Sequence, residues 1–303
     1  MSLTYKVLWV DDNKDEFKKE EKELKKYIGD MFFSPKIDFC EDLTAAKHFI
    51  ETERYDVIFS DYNIDEEKGD EFISFIREKS VNTEVLFYSG QNELPEGRLD
   101  RVTFFFETGS HREERLLKKM KELISLTVAK LNDLTQLRGL VMSEVSELDV
   151  KMKEIVADYC KKNESDEKDL RSYIIGKIEE RVKKSLDISQ SNCDKKCFHG
   201  WKNKTVQEVV FEQNFDSYTT ARALNRIIEK KNLDIDRFLS NYNAEIIQNR
   251  NELAHCKTIK KENGSEVLFT KRGEKEFTEE DINNIRKNII AYHKIFEQIS
   301  KKI

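Results

Sequence analysis

The chain has 303 residues, two or three times the usual domain length, so two domains are the expectation. Charged residues make up 37%, against two prolines and ten glycines, with a net charge of −6; this suits a helix-rich, well-solvated protein and excludes an all-β or collagen-like chain, while 10% aromatics exclude wholesale disorder. No run of about 18 apolar residues is present, and the N-terminal MSLTYKVLWVDD reaches two aspartates before a signal-peptide core could form, so no membrane span and a cytoplasmic location are expected.

In chain order, YKVLWV (5–10) is an apolar run that ends in Asp11 and Asp12, and residues 15–28 follow with helical spacing. PKIDFC alternates like a strand, and LTAAKHFIETE is helical. YDVIFSD is a further apolar run, ending in Asp61; GDEFISFIREK is helical; TEVLFYSG and VTFFFE are two more runs. Short apolar strands spaced by amphipathic helices predict a parallel, doubly wound α/β sheet covered on both faces, with all strand carboxyl ends on one edge. Asp11, Asp12, Asp61 and Ser89 fall on that edge. Three carboxylates from two strand ends repel one another, and a hard cation such as Mg²⁺ offsets that repulsion. The alternative is that these strand ends are acidic and simply solvated.

These residues resemble the response-regulator receiver family, a flavodoxin-like fold, over residues 4–125 or so. The resemblance rests on Asp11–Asp12, Asp61, Gly69 eight residues later, and Ser89 in FYSG. It implies that Asp61 accepts a phosphoryl group from a histidine kinase or another phosphodonor. It implies Mg²⁺ held by Asp11, Asp12, Asp61 and the carbonyl of Asn63. Ser89 would bond a phosphoryl oxygen, and Phe104 falls at the family's switch-aromatic position. One departure is Glu107, which stands where the family carries the lysine that pairs with the acyl phosphate. A second is the short segment with Pro95 and Gly97, where the fourth helix is expected to be stunted or missing. An unphosphorylated pseudo-receiver used for docking is the other reading of this half.

The first 110 residues carry about −11 and the rest about +5, too little basic excess to announce nucleic-acid binding by itself. From Glu113 to Lys162 apolar residues recur every three or four positions, from Leu117 and Met120 through Val145 and Leu148 to Tyr159. This predicts either one long connecting helix, up to about 70 Å, with a coiled-coil or bundle dimer contact, or two amphipathic helices meeting near Gly139. The expected organisation is a receiver over 1–115, the connecting helix over 116–162, and a helical domain over 163–303. Within the latter, 170–186, 205–213, 217–232 and 233–256 read as helical, and 187–204 as a polar connector. Its CDKKCFH, with Cys193, Cys197 and His199, reads as a surface loop rather than a zinc site, and the five scattered cysteines as reduced thiols. A hairpin follows, with turns at Asn263-Gly264 and Arg272-Gly273, and then a terminal helix opened by the capping signature Thr278 to Asp281.

Arg250, Asn251 and His255 place a forked cation, an amide and a titratable imidazole within six residues. Such a set can cleave RNA without metal: His moves the proton of the 2′-hydroxyl or the leaving group, and Arg stabilises the charged phosphorus centre. Five residues is about 140° of ideal helix, so convergence needs a helix end, a distortion or a second subunit. A surface Arg plus a core His is the alternative. RNELAHC, followed by a hairpin and a terminal helix, resembles the HEPN superfamily of all-α ribonuclease domains and its R-x4–6-H motif, over residues 130–303. That resemblance implies a homodimer with two motifs in one cleft, RNA as substrate and no metal at this site. The combined expectation is a receiver regulating an HEPN-type endoribonuclease; the alternative is a non-catalytic signalling adaptor, dimerisation or RNA-binding module.

Overall fold

The computed structural model describes residues 3–13, 17–64, 67–90, 100–131, 134–185, 205–210, 216–260, 266–270 and 276–303. The chain divides into two compact units, Met1–Leu137 and Arg138–Ile303.

The first unit is a five-stranded parallel sheet in the order β2-β1-β3-β6-β7. Its strands are β1 (Thr4–Val10), β2 (Ser34–Cys40), β3 (Val57–Asp61), β6 (Glu84–Ser89) and β7 (Val102–Phe106). The short strands β4 (Asn63–Ile64) and β5 (Glu67–Lys68) form a separate two-stranded ribbon. Trp9, Val57, Ile58, Phe59, Leu86 and Phe87 are fully buried, as expected for strands covered on both faces. Helices α1 (Lys18–Asp30) and α4 (Arg112–Leu131) pack together; α2 (Leu43–Thr52) and α3 (Gly69–Glu78) pack together as a second pair. Asp42 caps α2, accepting the Ala45 amide at 2.7 Å. The strand order reverses between β1 and β3, and a doubly wound sheet opens its ligand crevice at that point, beyond the carboxyl ends. The predicted stunted fourth helix, with Pro95 and Gly97, lies outside the described residues.

Helices α4 and α5 (Leu134–Lys162) cover the predicted connector, residues 132–133 between them lie outside the described residues, and Gly139, the expected meeting point of two helices, lies inside α5. The apolar stripe is core: Met120 and Ile124 are fully buried in the first unit, and Val145, Leu148 and Met152 in the second. The second unit continues with α6 (Glu164–Ser185), α7 (Val206–Val210), α8 (Ser217–Lys230) and α9 (Phe238–Tyr242). A π-helical segment (Asn243–Gln248) leads into α10 (Asn249–Ala254). Strands β8 (Lys257–Lys260), β9 (Glu266–Phe269) and β10 (Glu276–Phe277) form an antiparallel sheet, and α11 (Glu279–Lys302) closes the chain. The capping box at Thr278 and Asp281 is formed in both directions. Phe238, Tyr242, Tyr292 and Phe296 make an aromatic cluster between α9 and α11, with Tyr242 and Tyr292 rings 4.9 Å apart. Both glycine turns and Cys193, Cys197 and His199 lie outside the described residues. Among the described residues no helix is long and apolar enough to cross a membrane.

Candidate functional sites

Asp11 directly follows β1, Asp61 ends β3 and Ser89 ends β6, so all three reach the same sheet edge. The register pairs Asp61 with Tyr88 and Ser89 with Phe106, which brings the end of β7 to this edge too. Asp11 is buried, at 3% exposure. One carboxylate oxygen accepts the Asn13 amide at 2.8 Å, and the other accepts the Tyr88 hydroxyl at 2.5 Å. The Trp9 indole N–H donates to that same hydroxyl at 2.8 Å. Burial raises the pKa of Tyr88 well above the phenol range, reinforced by the Asp11 charge, so the hydroxyl stays a donor. Asp12 is exposed.

Asp61 accepts the Asn63 amide at 2.9 Å, and Asn63 donates its side-chain amide to the Ser89 hydroxyl at 3.0 Å. Burial pushes the Asp61 carboxyl up to about 6; the Asn63 amide and Arg112 pull it down, while Asp11 and Asp12 push it up. The donor set is all oxygen and mutually repulsive, which fits a hard divalent cation in chemistry. Among the described residues, however, no three His, Cys, Asp or Glu side chains are gathered tightly enough to hold a metal ion as they stand. Asp11 spends one oxygen on the Tyr88 hydroxyl and the other on the Asn13 amide.

Gly69 has a steric reason to be glycine. A Cβ there would lie 2.6 Å from Tyr62 Cδ2 and 2.9 Å from Phe87 Cε1. Phe104 is half-buried, stacked between Phe87 and Phe106 at 5.8 and 5.5 Å, with Tyr62 edge-on at 6.2 Å. Glu107 is exposed and paired with the Arg115 guanidinium.

In the second unit, Arg250 lies in α10 and His255 is the exposed residue at its C-terminal end. Both a helix end and a distortion are therefore present, the latter as the π-helical segment just before Arg250. Arg138 on α5 donates to the Ala254 carbonyl at 2.5 Å and to the Cys256 carbonyl at 3.4 Å. A guanidinium on the free carbonyls of a helix C-terminus fixes the turn that carries His255. Asn251 is exposed. Arg250 is half-buried; its Nη2 reaches the Ser217 hydroxyl at 3.4 Å, and its Nε is enclosed with no partner among the described residues. Ser217 in turn donates to Asp149. Burial raises the Asp149 carboxyl, and Ser217 and Arg250 oppose the rise. Burial and the Asp149 charge raise Tyr242. The three partners Asp149, Ser217 and Tyr242 were not singled out from sequence, because helical periodicity marks only their burial.

Residues 7–98, within the N-terminal unit, match the family model described as the response regulator receiver domain. Solved structures similar to this chain include the signal receiver domain of a putative LuxO repressor protein from Vibrio parahaemolyticus. It is 18% identical, with 42% of this chain and 95% of that chain covered and a TM-score of 0.31. The chemotaxis response regulator CheY4 of Vibrio cholerae is 23% identical, covering 40% and 98%, with a TM-score of 0.30. The response regulator TrrA from Thermotoga maritima, solved in complex with Mg(2+)-BeF, is 18% identical, covering 39% and 98%, also with a TM-score of 0.30. No curated protein matches the chain.

Proposed function

We propose that this chain is a two-component-type signalling protein. Its receiver domain accepts a phosphoryl group on Asp61 from a histidine kinase or another phosphodonor. The state of that site regulates a metal-independent, HEPN-type endoribonuclease centred on Arg250, Asn251 and His255 in the second unit. The observation that carries the first half is Asp61 itself: a strand-end carboxylate, linked through Asn63 to the Ser89 hydroxyl, beside two further aspartates. The Asp61 oxygen is the nucleophile toward phosphorus, and in this reading Ser89 donates to a phosphoryl oxygen once one arrives. Mg²⁺ held by Asp11, Asp12, Asp61 and the Asn63 carbonyl would supply charge compensation there.

The nuclease half is supported by His255, exposed at a helix end that Arg138 fixes, five residues after Arg250. In this reading the His255 imidazole takes the 2′-hydroxyl proton, Arg250 stabilises the phosphorus centre, and Asn251 contacts the backbone of the RNA. A homodimer would place two such sets in one cleft. A second reading, a signalling adaptor without catalysis, is favoured by the Arg250 guanidinium, which is turned inward toward Ser217 and Asp149.

The test is RNA cleavage in EDTA by wild type, Arg250→Ala and His255→Ala, repeated on protein phosphorylated at Asp61 and then freed of metal. Cleavage lost in both variants supports the nuclease. RNA left intact by folded wild type in both states decides for the adaptor.

A further inference from the structure

We infer that Arg112, the first residue of α4, is the cation that contacts a phosphoryl group carried by Asp61, in place of the basic side chain missing at position 107. This rests on the reading of Asp61 as the phosphoacceptor. β7 ends at Phe106 opposite Ser89, so residue 107 leaves the sheet beside the site. Its side chain is an exposed carboxylate, and the Arg115 guanidinium binds it. Arg115 also donates to the Ser110 carbonyl at 2.9 Å, so this guanidinium is spent on the loop.

That loop turns sharply. Gly109 and His111 have φ of 95° and 66°, and α4 begins at the next residue. Helix α4 packs against β3 and β6, the strands that carry Asp61 and Ser89. Its first side chain, Arg112, is half-buried, whereas its neighbours Glu113, Glu114 and Arg115 are exposed. The Arg112 Nε is enclosed and has no hydrogen-bond partner among the described residues. The Arg112 guanidinium acts on Asp61 electrostatically, lowering the pKa of its carboxyl. An enclosed N–H without an acceptor is costly, and a phosphoryl oxygen is the acceptor its fork fits best.

The Asp61 carboxylate oxygen bonds to the phosphorus of phosphoramidate in its N-protonated form, the P–N bond breaks, and its electron pair leaves with the nitrogen as ammonia. Arg112 then faces a dianionic acyl phosphate.

The experiment is phosphorylation of the full chain by phosphoramidate with Mg²⁺, followed by intact mass over time, with Asp61→Asn as the blank. Arg112→Ala should slow phosphorylation by about a hundredfold, the lower end of the scale for removing a charge-stabilising donor. Arg112→Lys should recover part of the rate, and Arg115→Ala should react at close to the wild-type rate. Arg112→Gln, which keeps length and polarity, gives the same reading if the alanine variant folds poorly. Adding Glu107→Lys to Arg112→Ala should restore the reaction. Wild-type kinetics in both Arg112→Ala and Arg112→Gln would overturn the assignment while leaving Asp61 as phosphoacceptor. No Asp61-dependent mass increase in wild type would overturn the underlying reading, and this inference with it.

Discussion

Tyr88 holds Asp11 by a hydroxyl–carboxylate bond of 2.5 Å, and Trp9 holds Tyr88 in turn at 2.8 Å. All three side chains are buried, so the chain of donors ends on a carboxylate that water does not solvate. Asp11 is held by this chain on one oxygen and by the Asn13 amide on the other.

Tyr88→Phe removes the donor to Asp11 and the acceptor of Trp9 together. A hydrogen bond to a charged group is worth about 1.5–3 kcal/mol, and the expected loss of receiver stability in metal-free buffer lies at that level. Urea unfolding with and without Mg²⁺ checks it. The deficit should shrink at saturating Mg²⁺, because a bound cation supplies the charge partner that Tyr88 supplied.

Asp61 titrates near pH 6 in the fold, above its ordinary value of 3.8. A raised carboxyl binds its proton more tightly folded than unfolded, so its contribution is greatest below about pH 4 and fades as pH rises through 6. Asp61→Asn should unfold at higher urea than wild type at pH 7, by about 1–2 kcal/mol after allowance for partial exposure. The gap should close toward pH 4.5 in metal-free protein. A gap that widens as the pH falls would contradict the assignment of burial as the cause.

Gly69→Ala drives a methyl into the Tyr62 and Phe87 rings, both nearly or fully buried. Overpacking of this kind costs about 1–3 kcal/mol. Tyr62 lies between Asp61 and Asn63, so phosphorylation of Asp61 should slow as well. Thermal unfolding and the phosphoramidate assay read the two effects separately, and an unchanged melting temperature would show that the rings move aside freely.

Arg250 and His255 should separate on stability even where both abolish cleavage. His255→Ala changes an exposed residue and should stay within about 0.5 kcal/mol of wild type. Arg250→Ala leaves the half-buried Asp149 without one of the two cations that act on it and should cost about 1–3 kcal/mol. Adding Asp149→Asn should recover part of that loss, and a double-mutant cycle by urea unfolding measures the coupling.

The receiver fold was legible because parallel strands buried on both faces have a simple signature: apolar runs ending at polar residues. Asp11, Asp61 and Ser89 stand at such ends, so the sheet edge they share followed from strand order. Arg112 did not show, because its approach to Asp61 depends on the sharp turn at Gly109 and His111, where the chain reverses into α4. The connector left one long helix and two helices meeting near Gly139 both open, because the apolar stripe keeps its period on either side of Gly139, which lies inside α5. Arg250 was visible as a motif, but its partners Ser217 and Asp149 are 33 and 101 positions away, joined only by tertiary packing.

The π-helical stretch over Asn243–Gln248 sets a phase. Tyr242 and Arg250 are eight positions apart, about 80° out of line on an ideal α-helix. A wide turn absorbs one extra residue, so the two stand as positions seven apart would, on one stripe. Both consequently act on the same carboxylate, Asp149. The residue count between them is thus a fixed quantity in this chain. A single deletion within 243–248 would let the segment relax to an ordinary α-helix while swinging Tyr242 and Arg250 out of shared reach of Asp149, so a change in length here is a change in which side chains meet.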